Sequence, residues 1–310
     1  MAAPALTVTF LGTGSGVPSL ERNLSCVAVQ RQGELILFDC GEAAQIQYRR
    51  AGLGFAPLTA IAISHLHGDH ITGLMGLLMS LQMADRTEPL DVYGPPGLGE
   101  YIRCNRRALQ THFGYRINLR EEPTTALFRE TPEYRLSSAP LDHGQLCLGF
   151  RLEEFDRPGR FNLETARGLG VPEGPLFGKL QRGEAVTLPD GREIAPNQVL
   201  GPSRPGAILA FCTDTRPCDA AIELARGADL LIYEGTFEAG MRVEAHRKGH
   251  STVADAAGIA KAAGVRQLII THLSPRYMDT SPLLAEAREI FPNTRIARDL
   301  ARFEVHHREE

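Results

Sequence analysis

The feature that most constrains this chain is a run of three histidines and one aspartate, His65-Leu66-His67-Gly68-Asp69-His70. An apolar stretch at 58–63 precedes the run and predicts a buried strand, and a helix-periodic segment at 71–83 follows it. On an extended chain His65, His67 and Asp69 project to one side, whereas His70 points elsewhere. Polar loop residues, the alternative, would explain one histidine but not this cluster, which is costly without a cation. The run therefore predicts metal ligands in two directions, which suggests two metal ions.

Three further candidate ligands follow other strand-like segments. His143 lies in a turn between two such segments, Asp214 follows the apolar run at 207–213, and His272 follows the apolar run at 267–271. In open α/β proteins, sites form beyond the carboxyl ends of strands, so we expect these side chains to meet the histidine run. The predicted centre has three ligands on each metal and one bridging carboxylate: His65, His67 and His143; Asp69, His70 and His272; and Asp214.

The donor set indicates the metal and the type of reaction. Imidazole and carboxylate ligands without thiolate favour zinc, with Mn²⁺ or Fe²⁺ as alternatives. We therefore predict two Zn²⁺ per subunit. A pair of metals held in this way is typical of hydrolases that act on phosphoryl or acyl groups.

Apolar and amphipathic segments alternate along the chain, which predicts an α/β fold. Strands are expected near 7–11, 35–39, 58–63, 207–213, 229–233 and 267–271. Helices are expected near 71–84, 97–112, 218–226, 252–264 and 282–290. With 310 residues, of which 43% are hydrophobic, the chain can bury a core in one large domain or two smaller ones.

Composition also indicates the cellular setting. The chain has neither a signal-like N-terminus nor about 18 consecutive apolar residues, so we predict a cytoplasmic protein without a membrane partner. The six cysteines include no C-x-x-C pair, and several fall in apolar runs, which favours reduced core thiols over disulfides or metal ligands.

Several motifs carry a resemblance to a known family, and they are spread over nearly the whole length: Val8–Gly16, Ser64–His70, Tyr233–Phe237, His250–Thr252 and Thr271–Ser274. By these motifs the chain resembles the metallo-β-lactamase superfamily and, within it, the ribonuclease Z family, which matures the 3′ end of transfer RNA. The resemblance implies a four-layer αβ/βα sandwich over residues 1–310, in which two mixed sheets lie face to face with helices outside.

The resemblance also implies a reaction, the removal of a 3′ trailer from precursor tRNA by a zinc-dependent endoribonuclease that leaves a 3′-hydroxyl. Asp69 is then both a ligand and the general base. His250, oriented by Glu234, then either donates a proton to the leaving 3′ oxygen or stabilises the transition state. A helix-capping pattern explains the two residues after His250 but not His250 itself.

Two segments resemble substrate-binding parts of the family. Residues 153–200 are rich in Gly, Pro and charge, which is typical of a functional loop or a solvated one. The resemblance implies a flexible arm, or exosite, that grips tRNA, with Gly174-Pro175 as its Gly-Pro motif. Pro18, Arg22 and Asn23 match a Pro-x-Lys-x-Arg-Asn loop, in which Leu20 replaces the lysine.

The net charge of −4 argues mildly against a nucleic-acid partner, because such partners usually require a basic surface. Binding of precursor tRNA must then use local basic groups. One set is Arg103, Arg106, Arg107 and Arg116, for which a solvated helix face is the alternative, and the other is Arg242, His246, Arg247 and Lys248. The resemblance implies a homodimer. Two other functions stay open: another metallo-β-lactamase-fold phosphodiesterase or small-ester hydrolase, and a non-enzymatic metal-binding RNA module.

Overall fold

The computed structural model describes residues 5–308 in two compact units. The first unit comprises the chain up to Glu153 together with Ala207–His306, and the second comprises Glu154–Gly206 and the residues from His307 onwards. Within the described residues, no helix is both long enough and apolar enough to span a bilayer.

The strands of the described chain are β1 (Leu6–Gly12), β2 (Cys26–Arg31), β3 (Glu34–Phe38), β4 (Leu58–Ala62), β5 (Leu90–Gly94), β6 (Ile117–Glu121), β7 (Ala126–Glu130), β8 (Tyr134–Leu141), β9 (Cys147–Glu154), β10 (Val186–Thr187), β11 (Glu193–Ile194), β12 (Ile208–Cys212), β13 (Leu230–Glu234), β14 (Leu268–Thr271), β15 (Thr294–Ile296) and β16 (Arg302–Val305). The helices are α1 (Ala44–Arg50), α2 (Gly68–Ile71), α3 (Leu74–Met83), α4 (Leu98–Ala108), α5 (Leu163–Gly168), α6 (Pro175–Gln181), α7 (Asp219–Ala225), α8 (Arg242–Arg247), α9 (Val253–Ala263) and α10 (Ser281–Ile290).

The first unit contains two mixed sheets. One has the strand order β16-β1-β2-β3-β4-β5-β6, antiparallel up to β3 and parallel from β3 to β6. The other has the order β15-β14-β13-β12-β9-β8-β7, parallel from β15 to β12, with β9 antiparallel to β12. The parallel strands therefore end at one edge of each sheet, where the candidate ligands follow them.

The main core lies between the two sheets. Phe38 of β3 contacts Phe150 of β9 and Phe211 of β12, with ring centroids 5.6 Å and 5.2 Å apart. The neighbouring residues Leu35 and Leu37 point the opposite way, into a second cluster with α1, α3 and α4. Strands buried on both faces read as continuous apolar runs, which is why the sequence shows little alternation there.

The predicted four-layer αβ/βα sandwich is thus confirmed. Helices α7, α9 and α10 cover the outer face of the second sheet and complete the fourth layer. Each segment expected to be a strand or a helix is one in the structure, within a few residues at its ends. Helix α1, which was not expected, begins after Ala43, a residue with a left-handed φ of 61° and no side-chain cap.

The second unit is folded and has a small core of its own, formed by Ala166, Val171, Leu180, Val186, Leu188, Ile194 and Val199. Backbone hydrogen bonds join Arg157 to Arg204 in both directions (2.8 and 2.9 Å), and Asn162 N donates to Val199 O (2.7 Å). Through these bonds the segments 157–162 and 199–204 pair as an antiparallel stem, and α5, α6 and the β10–β11 hairpin lie between them in the sequence. That this segment grips tRNA as a flexible arm stays a prediction.

Candidate metal centre

The seven predicted ligands converge where strands of both sheets end. His65 and His67 follow β4, Asp69 and His70 lie in α2, and the other three follow β8, β12 and β14. The described chain brings them into two adjoining groups, His65, His67, His143 and Asp214, and Asp69, His70 and His272. Within each group the candidate ligand atoms lie within 4.8 Å of one another.

Three imidazole nitrogens and one carboxylate oxygen define the first group. His67 Nδ1 lies 3.0 Å from His65 Nε2 and 3.3 Å from His143 Nε2. Asp214 Oδ2 lies 3.6 Å from His65 Nε2 and 3.9 Å from His143 Nε2. Four donor atoms therefore surround one point.

The second group uses the other oxygen of Asp214. His70 Nε2 and His272 Nε2 are 3.1 Å apart, and Asp69 Oδ2 lies 3.5 Å and 3.4 Å from them, respectively. Asp214 Oδ1 is 3.3 Å from His70 Nε2 and 3.1 Å from His272 Nε2. The two oxygens of Asp214 thus face different groups, as a bridging ligand requires.

These spacings fit two metal ions. Two donors about 2.05 Å from a tetrahedral zinc ion lie about 3.3 Å apart, close to the distances found here. Burial lowers the pKa of His65 to about 2, so its imidazole is neutral and has a lone pair for a cation. Burial opposes ionisation of Asp214, but the His272 and His70 imidazoles hold the pKa of its carboxyl well below the usual range. The first unit therefore buries anionic and neutral donors that a cation would stabilise.

The outward nitrogens of four of the histidines are also held. His70 Nδ1 donates to Asp39 Oδ2 (2.7 Å), and His143 Nδ1 donates to the Gly249 carbonyl (2.8 Å). His65 Nδ1 lies 2.9 Å from Ser64 Oγ, and His272 Nδ1 lies 3.0 Å from Thr236 Oγ1. Such outer partners fix the ring orientation and leave the inward nitrogen free to bind metal.

Asp39 is the functional residue that sequence reasoning missed most clearly. It is fully buried after β3 and accepts hydrogen bonds from Ser64 N (2.7 Å) and Ser64 Oγ (3.0 Å), as well as from His70. Asp39 follows the apolar run at 35–38, so the rule that site residues follow strand ends applies to it as it does to Asp214.

Replacing Asp39 by asparagine is expected to weaken metal binding by about 10- to 100-fold, because His70 loses its anionic partner. Competition against a chromophoric chelator measures this. Asp91→Asn is the matched control, since Asp91 bonds Tyr93 and Asn118 in the first sheet and touches no ligand. Equal metal affinity in the two variants would contradict the assignment.

The backbone at the ends of three strands is unusual. Asp39, Asp214 and His272 adopt left-handed conformations, with φ of 59°, 43° and 56°. Asp and His enter this region more readily than most residues, yet it still costs about 1 kcal/mol or more. Three such residues within one centre indicate that tertiary structure imposes the turns that aim these side chains.

His250 lies beside both groups and is paired with Glu234. His250 Nδ1 is 2.9 Å from Glu234 Oε1, which also accepts a hydrogen bond from Thr215 N (2.7 Å). Glu234 Oε2 accepts one from Thr236 Oγ1 (2.7 Å). Burial works against protonation of His250, but the Glu234 carboxylate raises the pKa of the imidazole to about 9. His250 Nδ1 is 4.0 Å from Asp214 Oδ2, so His250 borders the ligand groups, but Glu234 already engages that nitrogen.

Three of the remaining predicted residues lie in one loop of the first unit. Arg22 Nη1 donates to Thr13 Oγ1 (2.6 Å) and to the Ala297 carbonyl (2.9 Å), and Asn23 Nδ2 donates to Asp299 Oδ2 (2.9 Å). Both residues therefore anchor their loop, in which Pro18 is exposed. Gly174 and Pro175 belong to the second unit, where Pro175 is the first residue of α6. Substrate contacts of these residues stay predictions.

The glycine-rich segment Gly12–Gly16, which precedes Pro18, contacts the second ligand group. Gly16 N donates to Asp69 Oδ2 (2.8 Å). Burial opposes ionisation of Asp69, but hydrogen bonds with His272 and His70 hold the pKa of its carboxyl well below the usual range. Asp69 is therefore ionised and suited to bind a cation.

Comparison with known proteins identifies the family of this chain. A family model described as a beta-lactamase superfamily domain matches residues 198–273, and one described as anti-Pycsar protein Apyc1 matches residues 6–110. The structure is similar to that of human tRNase Z, short form, with a TM-score of 0.71, 25% identity, and coverage of 96% of this chain and 99% of that one. A metallo-β-lactamase fold protein from Bacillus subtilis shares the fold, with a TM-score of 0.67 and 21% identity. The alignment covers 96% of this chain and 99% of that one.

Two relatives match at higher identity. Ribonuclease Z from Acaryochloris marina is 46% identical over 307 residues, which cover 97% of this chain and 98% of the relative. Ribonuclease Z from Salinibacter ruber is 45% identical over 309 residues, which cover 98% and 96%. The chain belongs to the ribonuclease Z family of the metallo-β-lactamase superfamily, and is thus a metal-dependent hydrolase.

Proposed function

We propose that the protein removes the 3′ trailer from precursor tRNA by hydrolysis of one phosphodiester, leaving a 3′-hydroxyl on the tRNA. Membership of the ribonuclease Z family supports the substrate. The observation that carries the chemistry is Asp214, whose two oxygens face two separate ligand groups. A shared carboxylate holds two cations close together, as hydrolysis of a phosphodiester by two metals requires.

The residues of the two groups have different roles in the proposed hydrolysis. Two divalent ions, when bound, supply a water that loses its proton near neutral pH and positive charge around the phosphoryl oxygens. Asp69 accepts the proton of the attacking water, with its carboxylate held in place by Gly16 N. Zinc suits the donor set, with Mn²⁺ or Fe²⁺ as alternatives.

His250 acts on the leaving group. Its ring borders both groups, with centroids 5.1 Å from His143 and 5.6 Å from His272. Glu234, which is fully buried, holds Nδ1, so Nε2 is the atom that donates a proton to the departing 3′ oxygen. Thr215 N donates to Oε1 of Glu234 and Thr236 Oγ1 donates to Oε2, and these bonds fix the orientation of the carboxylate.

Cleavage of a precursor tRNA with a 3′ trailer, with and without chelator, tests this proposal. We expect one chelator-sensitive cut near the discriminator base or the CCA, and a new end that carries a 3′-hydroxyl. An intact precursor, together with hydrolysis of bis(p-nitrophenyl) phosphate by the same metal-loaded sample, would assign the centre to small diesters instead.

The second unit is proposed to be the tRNA-binding arm. Its stem allows a clean deletion, because Phe161 and Leu200 form an antiparallel bridge that a two-residue Asn-Gly turn can close. Deleting 162–199 in this way should raise the KM for precursor tRNA by at least about 10-fold, since several phosphate contacts are lost. Hydrolysis of bis(p-nitrophenyl) phosphate and bound metal serve as controls and should not change. An unaltered KM would refute the role of the arm.

We also propose that the protein acts as a homodimer in the cytoplasm, as the family resemblance implies. Light scattering after size-exclusion chromatography measures the mass of the assembly. A monomer with full activity on precursor tRNA would rule out a requirement for the dimer.

A further inference from the structure

A basic concavity lies at the far end of α4, away from the ligand groups. It encloses about 550 Å³ and is lined by Arg103, Arg106, Arg107, Gln110, Thr111 and His112. None of these residues is acidic. Residues 98–116 contain four arginines and one glutamate, in a chain whose net charge is −4. The concavity is thus a local cationic surface on a protein that is acidic overall.

The positions of the arginines are unfavourable without an anionic partner. Arg103, Arg106 and Arg107 are three and four residues apart, so they are neighbours on the helix and repel one another. Within the described chain, Arg103 forms an ion pair with Glu100 (2.9 Å), whereas Arg106 and Arg107 have no carboxylate within ion-pair distance. Arg106 packs over the Phe113 ring at 5.2 Å, and its Nε is buried without a hydrogen-bond partner among residues 5–308. The helix dipole accounts for cations in the last turn but not for Arg103.

Helix α4 runs from the segment that carries the ligands, at its N-terminal end, to this basic surface, at its C-terminal end. Its N-terminal end lies against the ligand segment, because a Cβ atom on Gly97 would come within 2.9 Å of Leu66 Cδ1. From Leu98 to Arg107 the helix rises about 14 Å at about 1.5 Å per residue.

We infer that this concavity binds backbone phosphates of the base-paired stem that adjoins the cleavage site in precursor tRNA. This inference rests on the proposed function, since it assumes an RNA substrate. Arginine forks bind phosphate oxygens in pairs, and phosphate contacts fix the register of a duplex without reading its sequence. The concavity thereby sets which phosphodiester reaches the metals.

The test is the double variant Arg103→Gln/Arg107→Gln, which keeps Arg106 on Phe113. The control is Arg226→Gln/Lys261→Gln, which removes the same charge from helices on the second sheet. Affinity for mature tRNA is measured at several salt concentrations. We expect the first variant to bind on the order of 10-fold more weakly and its salt slope to fall by about 2. An unchanged slope, or an equal change in the control, would overturn the inference.

Further measurements distinguish binding of an RNA stem from other roles of the concavity. Hydrolysis of bis(p-nitrophenyl) phosphate should be equal in both variants, because this substrate has no stem. Saturable binding of inorganic phosphate at the concavity with unchanged tRNA affinity would make it a small-anion site. A change in oligomeric state would make it a contact with a second copy. Either result would refute the inference. The binding assay with mature tRNA involves no cleavage, so it tests the concavity alone. Failure of the proposed function would instead appear as a precursor that stays uncut in the cleavage assay.

Discussion

Replacing Asp214 by alanine is expected to abolish cleavage of precursor tRNA and to lower the bound metal to less than one ion per chain. Asp214 supplies one oxygen to each ligand group, so its removal weakens both sites at once. We expect a loss of more than about 10³-fold in single-turnover rate, which exceeds the 10- to 100-fold typical of outer partners. His67→Ala is expected to abolish cleavage too, but to empty only the first group.

Elemental analysis after dialysis and the cleavage rate measure both effects. Asp219→Ala is the matched control, since Asp219 is an exposed aspartate at the start of α7. Circular dichroism checks that the variants fold. Normal metal content in Asp214→Ala would refute the bridging role, whatever the rate.

Replacing His250 by alanine is expected to slow cleavage of precursor tRNA by at least about 10²-fold, the usual contribution of a general acid, while metal content stays normal. The departing 3′ oxygen is a poor leaving group that needs a proton. The p-nitrophenolate of bis(p-nitrophenyl) phosphate is a stable anion and does not. Hydrolysis of this substrate should therefore fall much less than cleavage of RNA.

The comparison of the two substrates distinguishes proton donation from metal binding. His306→Ala serves as the control, because His306 is an exposed histidine after β16 that pairs with Glu304 (3.2 Å). If His250→Ala lost metal, His250 would be a ligand beside Asp214 and His272. Equal losses on both substrates would mean that it stabilises the phosphoryl group and not the leaving oxygen.

The parts of the molecule that could be predicted from the sequence are the buried strands and the polar residues that directly follow them. Buried strands such as β4, β12 and β14 appear as apolar runs, and the polar residue that follows each run meets the others at the sheet edge. This explains why residues as distant in sequence as His65 and His272 could be assigned to one centre. The outer partners Ser64 and Thr236 could not be found, because hydroxyl residues are common and only the folded chain shows which nitrogen they meet.

The second unit was not predictable as a folded unit for a related reason. Its helices α5 and α6 have six and seven residues, too short to establish a helical period. Its core residues are spread over 166–199, without any long apolar run. In this segment Gly174 and Pro175 mark the start of α6, a local signal that the overall Gly and Pro content concealed.

The left-handed backbone at Asp39, Asp214 and His272 makes the stability of the folded protein depend more strongly on bound metal. Each of these turns costs folding free energy whether or not metal is present, whereas bound cations stabilise only the folded chain. Chains made during metal scarcity are therefore expected to unfold at lower temperature and to meet proteases more often. Metal supply then sets the number of enzyme molecules as well as the activity of each.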